Sequence, residues 1–123
     1  MREKRPKRFA DRATRMRLAE VEMNLEVMRA INMTNAAIVA SGDTPTMEAS
    51  MSKVWTTELR YTMGNMGMEL LGRRGAQMRG SPEAAADGEM EQLFRASPFL
   101  RFGGGTNEVQ RDIIARRGLG LQR

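Results

Sequence analysis

Apolar residues between positions 9 and 41 recur every three or four residues, which is the spacing of a helix. No proline or glycine interrupts this segment, and Gly42, which tolerates a left-handed conformation, follows it. We therefore predict one long helix that ends at Gly42. Two adjacent apolar stripes give this helix an apolar surface that is too wide for a single neighbouring helix to cover. We therefore expect it to contact at least two other helices. The first stripe is Leu18, Val21, Leu25, Met28, Ile31 and Ile38, and the second is Met16, Ala19, Met23, Val27, Ala30 and Ala37.

A second long helix is predicted to start at Pro45, because proline suits the first helical position and Thr44 can cap it. This helix ends at Gly72. Gly64 and Gly67 interrupt its interior, where a glycine costs about 1 kcal/mol relative to alanine. The two glycines indicate that another backbone or a ligand passes nearby, and we favour close helix packing. The inward positions are Met47, Met51, Val54, Leu59, Met63, Met66 and Leu70.

Glycine and proline punctuate residues 72–88, which we predict to be a loop. A short helix over residues 89–95 follows and should end near Ser97, because the residue before a proline avoids the helical conformation. A glycine run over residues 103–105 then leads into a last helix that Gly118 terminates. The predicted buried face of this last helix is Val109, Ile113 and Ile114.

The fold class that follows is all-α, an antiparallel helical bundle of two long helices plus shorter C-terminal ones. No strand pattern and no internal repeat occurs, and 123 residues fit a single domain, residues 1–123. A stable bundle usually needs three or four long helices to enclose a core. Either the chain oligomerises, or the remaining helices are missing from it.

The chain has no cysteine and no histidine. This composition excludes disulfides, Cys/His zinc sites, cysteine nucleophiles and histidine acid/base chemistry, so we expect no metal site, and any chemistry must use carboxylates or a cofactor. No apolar run approaches the roughly 20 residues that span a bilayer, and the N-terminus lacks the apolar segment of a signal peptide. We expect a cytoplasmic protein without a membrane partner.

The net charge of +5 is concentrated at the N-terminus. Residues 1–17 hold eight basic side chains against two acidic ones, whereas the remainder holds twelve against thirteen. A basic arm can bind phosphate backbones, so a non-enzymatic helical interaction module with a nucleic-acid-binding arm is one hypothesis. We favour a solvated, frayed arm over residues 1–8. The basic segment carries Phe9 as its only aromatic side chain, so it offers little surface for stacking on nucleic-acid bases.

The glycine run before Thr106 is the most informative local motif. A glycine run that opens a helix can present free backbone N–H groups to a phosphate. No strand precedes it, so it is neither a dinucleotide-binding fingerprint nor a P-loop. Taken alone, the run is more typical of a flexible helix cap than of a ligand site.

The longer segment 94–117 resembles the C-terminal signature of the acyl-CoA dehydrogenases. In that family an arginine, a Gly-Thr-Asn-Glu-Ile-Gln-Arg run and an Ile-Ala-Arg helix follow one another. Here they are Arg95, Gly-Thr-Asn-Glu-Val-Gln-Arg at 105–111 and Ile-Ala-Arg at 114–116. The resemblance covers most of the chain. Three further segments fall in the family's order and spacing: Leu-Ala-Glu at 18–20, Ala-Ser-Met-Ser-Lys at 49–53 and Leu-Leu-Gly at 70–72.

The resemblance implies a C-terminal four-helix bundle that follows an α-helical and a β domain, in tetramers that hold FAD between subunits. It implies that this chain lacks those two domains and the first bundle helix, needs a homo- or hetero-oligomer, and is inactive alone. The implied reaction is the α,β-dehydrogenation of an acyl-CoA, in which a glutamate removes the α proton and FAD accepts a hydride. Acyl-CoA would bind only through the complete enzyme.

In many family members the catalytic glutamate directly precedes the Gly-Thr pair, and Gly104 occupies that position here. Because Gly104 has no carboxylate, we expect no catalytic residue in this chain. The base then lies on the first bundle helix or in a different subunit, and both alternatives stay open.

The resemblance also implies five FAD-binding positions. Thr106 and Glu108 match residues that bind FAD in relatives, although Thr106 also suits a simple helix cap. The segment that meets the flavin of a neighbouring subunit corresponds to Glu69, Gly72 and Arg73. Glu69 and Arg73 depart from the family's pattern, and an ordinary surface carboxylate is the alternative for Glu69.

Overall fold

The structure is a computed structural model that describes residues 11–122. Its helices are α1 (Arg12–Ala40), α2 (Met47–Leu71), α3 (Glu89–Leu100) and α4 (Asn107–Ile113). The described part of the chain contains no strand, which confirms the all-α prediction. The basic arm over residues 1–8 and Phe9 lie outside the described residues. No described helix is long and apolar enough to cross a membrane.

Helices α1 and α2 form an antiparallel hairpin. Near the open end of the hairpin, the Arg17 guanidinium donates to Glu69 Oε2 at 2.5 Å. Near its closed end, Asn35 Nδ2 donates to the carbonyl oxygen of Glu48 at 3.4 Å. Between these two contacts, Trp55 Nε1 donates to the carbonyl oxygen of Asn24 at 3.1 Å. Polar contacts therefore hold the two helices together along most of their length.

The predicted end of α1 is confirmed. Gly42 adopts a φ of +88°, its N–H bonds the carbonyl of Val39, and the N–H of Asp43 bonds that of Ile38. These two bonds occupy carbonyls that the helix end leaves free. At the other end, Asp11 caps the helix by accepting from the N–H of Thr14 at 3.1 Å.

The second apolar stripe of α1 has no neighbour in the described part of the chain. Helix α1 packs along α2 through most of its first stripe. Met16, Met23 and Val27 of the second stripe are 55%, 63% and 40% exposed. Within residues 11–122, α1 packs mainly against α2, and the second helix partner expected for this stripe is not seen there.

Helix α2 is the central element, in contact with α1, α3 and α4. It starts at Met47 with Thr46 as its N-cap, so the predicted start at Pro45 with a Thr44 cap is wrong by two residues. The first helical bond runs from the N–H of Ser50 to the carbonyl of Thr46, and the Thr46 hydroxyl bonds the Thr44 carbonyl. Thr44 therefore supports the turn before the helix.

The two glycines inside α2 confirm the close-packing interpretation. A Cβ at Gly64 would lie 2.9 Å from Cα of Phe94. A Cβ at Gly67 would lie 2.6 Å from Sδ of Met90. Both neighbours belong to α3: Gly64 allows the α3 backbone to approach α2, and Gly67 leaves room for the Met90 side chain.

Helix α3 continues through Pro98 to Leu100, so the prediction that it ends near Ser97 is wrong. A proline in a helix leaves the carbonyl four residues earlier without its N–H partner. Here the hydroxyl of Ser97 donates to that carbonyl, on Phe94, at 3.0 Å. Between α2 and α3, where a loop is predicted, the chain also forms a short 3-10 turn, Gly72–Arg74, and a left-handed turn in which Ala86 and Asp87 have φ values of +49° and +50°.

The last helix begins at Asn107 with Thr106 as its N-cap and widens into a π-helical turn, Ile114–Gly118. Asn107 is 1% exposed and faces α2. Val109 is 52% exposed, so its predicted place in the buried face is wrong. It lies two residues, or about 200° around the helix, from Asn107, and therefore points away from α2.

Candidate functional site at the glycine turn

Residues 102–106, named here the glycine turn, connect α3 to α4. Gly104 and Gly105 adopt φ values of +70° and +93°, which favour glycine. The ends of the turn are joined by a bond from the N–H of Asn107 to the carbonyl of Arg101, 3.2 Å long. Within residues 11–122, the backbone N–H groups of Gly104, Gly105 and Thr106 have no acceptor. The turn thus presents three consecutive donors on an exposed surface.

Asn107 is the centre of a buried polar network beneath the glycine turn. Its Oδ1 accepts from Nζ of Lys53 at 2.6 Å, and Oγ1 of Thr57 lies 3.1 Å from the same oxygen. Its Nδ2 donates to Oε1 of Glu58 at 2.7 Å. Because a buried amide without partners costs about 1–3 kcal/mol, these bonds are required to keep Asn107 inside.

Glu58 links this network to two arginines. Its Oε1 lies 3.1 Å from the Arg101 guanidinium and 3.3 Å from that of Arg111. Burial raises the pKa of Glu58. The hydrogen bond from Asn107 and the charges of both arginines together lower it by more, so the pKa of Glu58 lies below its ordinary value. The Arg101 guanidinium also lies 5.2 Å from the centre of the Tyr61 ring. An ionised Glu58 therefore holds positive charge beside the turn.

A cavity of about 330 Å³ opens between α1 and α2 beside Glu58 and Arg111. A second cavity, of about 420 Å³, is lined by Tyr61, Arg101, Phe102, Asn107 and Glu108. Each arginine that Glu58 binds therefore borders a cavity, Arg111 the first and Arg101 the second.

Two of the predicted FAD positions lie at the glycine turn. The Thr106 hydroxyl accepts from the N–H of Val109 at 3.3 Å, so it does cap α4. Glu108 is exposed on the first turn of that helix. Hydrogen bonds with its own backbone N–H and with Thr106, together with Arg111 and Arg101, hold the pKa of Glu108 below its ordinary value. Gly104, which the sequence resemblance aligns with the family's base, is also exposed, with nothing within 4 Å of where its Cβ would be.

The other three predicted positions lie at the opposite end of α2. Glu69 is occupied by its bond to Arg17. Gly72 ends the helix with a φ of +56°, which confirms the predicted stop. The Arg73 side chain is 85% exposed and lies 3.5 Å from Glu83. Gly72 is fourteen residues beyond Glu58, or roughly 20 Å along the helix, so the chain does not bring the two sets together.

Lys53, Thr57 and Glu58 were not identified as site residues from the sequence. Each bonds or borders a residue about fifty positions away, a distance that local periodicity does not reveal. Lys53, Thr57 and Glu58 lie among other polar residues of α2, so their spacing gave no signal of a site.

A family model described as the C-terminal domain of acyl-CoA dehydrogenase matches residues 2–119. The chain belongs to the acyl-CoA dehydrogenase family. Acyl-CoA dehydrogenase FadE26 of Mycobacterium tuberculosis is 41% identical over 112 residues, which cover 88% of this chain and 28% of that protein. This acyl-CoA dehydrogenase domain therefore spans less than a third of the curated relative that it matches.

Solved structures show the same fold. The domain matches the steroid acyl-CoA dehydrogenase Tcur3481-Tcur3483 with a TM-score of 0.86 and 33% identity. It matches the ChsE4-ChsE5 complex from Mycobacterium tuberculosis with a TM-score of 0.81 and 38% identity. Both alignments cover 94% of this chain and 30% of the matched chain. The acyl-CoA dehydrogenase C-terminal bundle is thus confirmed as the fold of this domain.

Proposed function

We propose that this domain supplies FAD-binding and subunit-interface surface to a flavin-dependent acyl-CoA dehydrogenase, and that it does not oxidise acyl-CoA alone. The observation that carries this proposal is the glycine turn, where three free backbone N–H groups lie beside the Thr106 hydroxyl, above the buried side chain of Asn107. In the complete enzyme, bound FAD supplies the acceptor for the hydride that leaves the acyl-CoA.

The donors at the glycine turn fit the polar part of a flavin cofactor. The phosphates and ribityl hydroxyls of FAD need hydrogen-bond donors, and the N–H groups of Gly104, Gly105 and Thr106 have no acceptor within the described chain. Arg101 adds a cation beside them, held by Glu58 at 3.1 Å. The Glu108 carboxylate repels an anionic group bound at the turn, because its lowered pKa keeps it ionised. It therefore suits a hydroxyl of the cofactor better than a phosphate.

The far end of α2 fits a second, weaker contact with a flavin held mainly by a neighbouring subunit. Arg73 is exposed, and its ion pair with Glu83 is long at 3.5 Å, so its guanidinium is available to an anionic group. Glu69 is committed to Arg17 and would have to exchange that partner. Of these two departures from the family's pattern, Arg73 is thus the better candidate for a cofactor contact.

The interface part of the proposal is supported by the second stripe of α1. Met16, Met23 and Val27 expose apolar surface along one face of a 29-residue helix, and contiguous apolar patches usually mark interaction sites. Two similar solved structures are complexes of two differently named chains. We therefore propose a second acyl-CoA dehydrogenase chain as the partner, with the catalytic base supplied from outside residues 11–122.

A flavin titration of Thr106 variants tests the proposal. FAD is added to the chain assembled with a full-length acyl-CoA dehydrogenase partner, and bound flavin is followed by visible absorbance. Thr106→Ala removes the hydroxyl and should weaken FAD binding, whereas Thr106→Ser keeps the hydroxyl and should not. Thr46→Ala is the matched control, because Thr46 is also an N-cap but makes no side-chain capping bond. Equal FAD affinity in all four proteins would contradict a cofactor site at the turn.

A further inference from the structure

Two side chains of α2 each bind both ends of the glycine turn. Lys53 Nζ donates to the carbonyl oxygen of Arg101 at 3.0 Å and to Oδ1 of Asn107 at 2.6 Å. Glu58 Oε1 forms an ion pair with the Arg101 guanidinium at 3.1 Å and accepts from Nδ2 of Asn107 at 2.7 Å. We propose that Lys53 and Glu58 are positioning residues that fix the two ends of the glycine turn on α2 and so set the direction of its free N–H groups.

The opposite polarity of the two side chains gives Asn107 a single orientation. Its carbonyl oxygen faces a cation that only donates, and its amide nitrogen faces a carboxylate that only accepts. Rotating the amide by half a turn would place Nδ2 against the Lys53 ammonium and Oδ1 against the Glu58 carboxylate. At 1% exposure, water does not relieve these two repulsive contacts. The first residue of α4 is thus held in one rotational setting.

The glycine turn needs this support because its own backbone is permissive. Three consecutive glycines occupy residues 103–105, and glycine adopts more backbone conformations than any other residue. Apart from the contacts with α2, the turn in the described chain is held by the bond from the N–H of Asn107 to the carbonyl of Arg101 and by Gln110 Nε2, which donates to the carbonyl of Gly104 at 3.0 Å. Lys53 donates to the same Arg101 carbonyl, so it fixes the junction itself and not only a side chain.

A role in positioning differs from a general contribution to stability. No hydrogen bond or ion pair joins Lys53 to Glu58 within the described chain, and every bond that their charged ends make goes to the turn or to α4. Their loss should therefore loosen the junction of the turn more than distant parts of the fold. The consequence for cofactor binding rests on the proposed function, whereas the positioning itself does not.

Amide hydrogen exchange at single-residue resolution tests the positioning. The reporter is the N–H of Asn107, which closes the turn, and the reference is the N–H of Asp43, which closes the turn after α1 with a bond of 3.1 Å. Lys53→Met and Glu58→Met should each speed exchange at Asn107 by roughly tenfold or more and leave Asp43 unchanged. Glu58→Gln keeps an acceptor oxygen and should give a smaller increase.

The control variant is Glu91→Met, which removes a carboxylate that pairs with Arg95 on its own helix, away from the turn. It should change neither amide. Unchanged exchange at Asn107 in both Met variants would overturn the proposal, as would equal acceleration at Asn107 and Asp43. If the Met variants fail to fold, Glu58→Gln decides: it must speed Asn107 selectively, and uniform acceleration or none would overturn the positioning role.

Flavin titration of the same variants separates this inference from the proposed function. If the unaltered assembly binds no FAD, the proposed function fails and the exchange data alone decide the positioning. If the assembly binds FAD, the variants with faster Asn107 exchange should bind it more weakly, while Glu91→Met binds normally. Normal FAD binding by a variant with a loosened turn would overturn the role of these residues in the cofactor site.

Discussion

Nδ2 of Asn107 lies 2.7 Å from Oε1 of Glu58, so an amide and a carboxylate from residues 49 positions apart meet in a partly buried contact. Replacing Asn107 by aspartate would put two carboxylates in that contact. We expect Asn107→Asp to lower the free energy of unfolding by about 1–3 kcal/mol at neutral pH. The measurement is denaturant unfolding, with Asn65→Asp as a control because Asn65 donates only to a carbonyl one turn away on the surface.

The destabilisation caused by Asn107→Asp should depend on pH. Two neighbouring carboxylates raise the pKa of one of them in the folded state. A raised folded pKa favours folding at low pH, and that advantage disappears as the pH rises. The difference in unfolding free energy between the unaltered chain and Asn107→Asp should therefore shrink on acidification. A difference that stays constant with pH would contradict direct contact between the two side chains.

Glu58 itself predicts an acid-sensitive contribution to stability. Its pKa in the fold is lowered from its ordinary value, so its contribution is complete above the unfolded pKa of about 4.3 and is lost as pH falls through the folded value. Glu58→Gln removes this contribution. Unfolding titrations should show a gap between the two proteins at neutral pH that narrows in acid. A gap that widens in acid would mean that burial, rather than the arginines and Asn107, dominates the pKa of Glu58.

The two glycines of α2 predict a ranking of alanine variants. At Gly64 the new Cβ would meet backbone atoms of Phe94 at 2.9 and 3.0 Å, and backbone yields only if α3 moves. At Gly67 it would meet the flexible side chain of Met90. We expect Gly64→Ala to destabilise by about 1–3 kcal/mol and Gly67→Ala by less. Thermal unfolding of both variants checks this, and the reverse order would contradict the packing described for α3.

Gly104→Glu should not create activity. The side chain has room, since nothing lies within 4 Å of its Cβ, but the backbone φ of +70° disfavours a residue other than glycine. We expect a folded variant, destabilised by about 1–2 kcal/mol, without turnover of any acyl-CoA by the chain alone. Detectable reduction of an electron acceptor with an acyl-CoA substrate would contradict the proposal that the catalytic site needs other chains or segments.

The exposed face of α1 predicts self-association. Met23 and Val27 are 63% and 40% exposed and lie one helical turn apart. The double variant Met23→Glu/Val27→Lys replaces this apolar surface with a pair that suits a helix. The unaltered chain should sediment as a concentration-dependent oligomer, and the variant should shift toward monomer with unchanged helix content. A monodisperse monomer of the unaltered chain would contradict the interface proposed for this face.

Local sequence signals predicted the long helices and their ends well. Gly42 and Gly72 do end α1 and α2 with positive φ, and Gly64 and Gly67 do mark the approach of a neighbouring helix. The end of α3 was misplaced because Ser97 compensates for the carbonyl that Pro98 leaves free. Such compensation depends on side-chain geometry, which residue spacing does not specify.

The candidate site was predicted only in part. The motif drew attention to the glycine turn and to Thr106, because those residues are contiguous. The contacts that hold the turn come from Lys53 and Glu58 on α2, and they become visible only when α4 is docked on α2. The burial of Val109 was wrongly predicted for the same reason, since Asn107 rather than an apolar residue occupies the face of α4 that points inward.

The most direct test of the central proposal is sedimentation velocity with simultaneous detection of protein and flavin absorbance. The chain is run with FAD, alone and together with a full-length acyl-CoA dehydrogenase chain from the same organism. We predict that flavin sediments with an oligomer that contains this chain, and that Thr106→Ala reduces the flavin carried per oligomer. An assembly that forms without flavin, or flavin that never sediments with this chain, would contradict a role in the cofactor site.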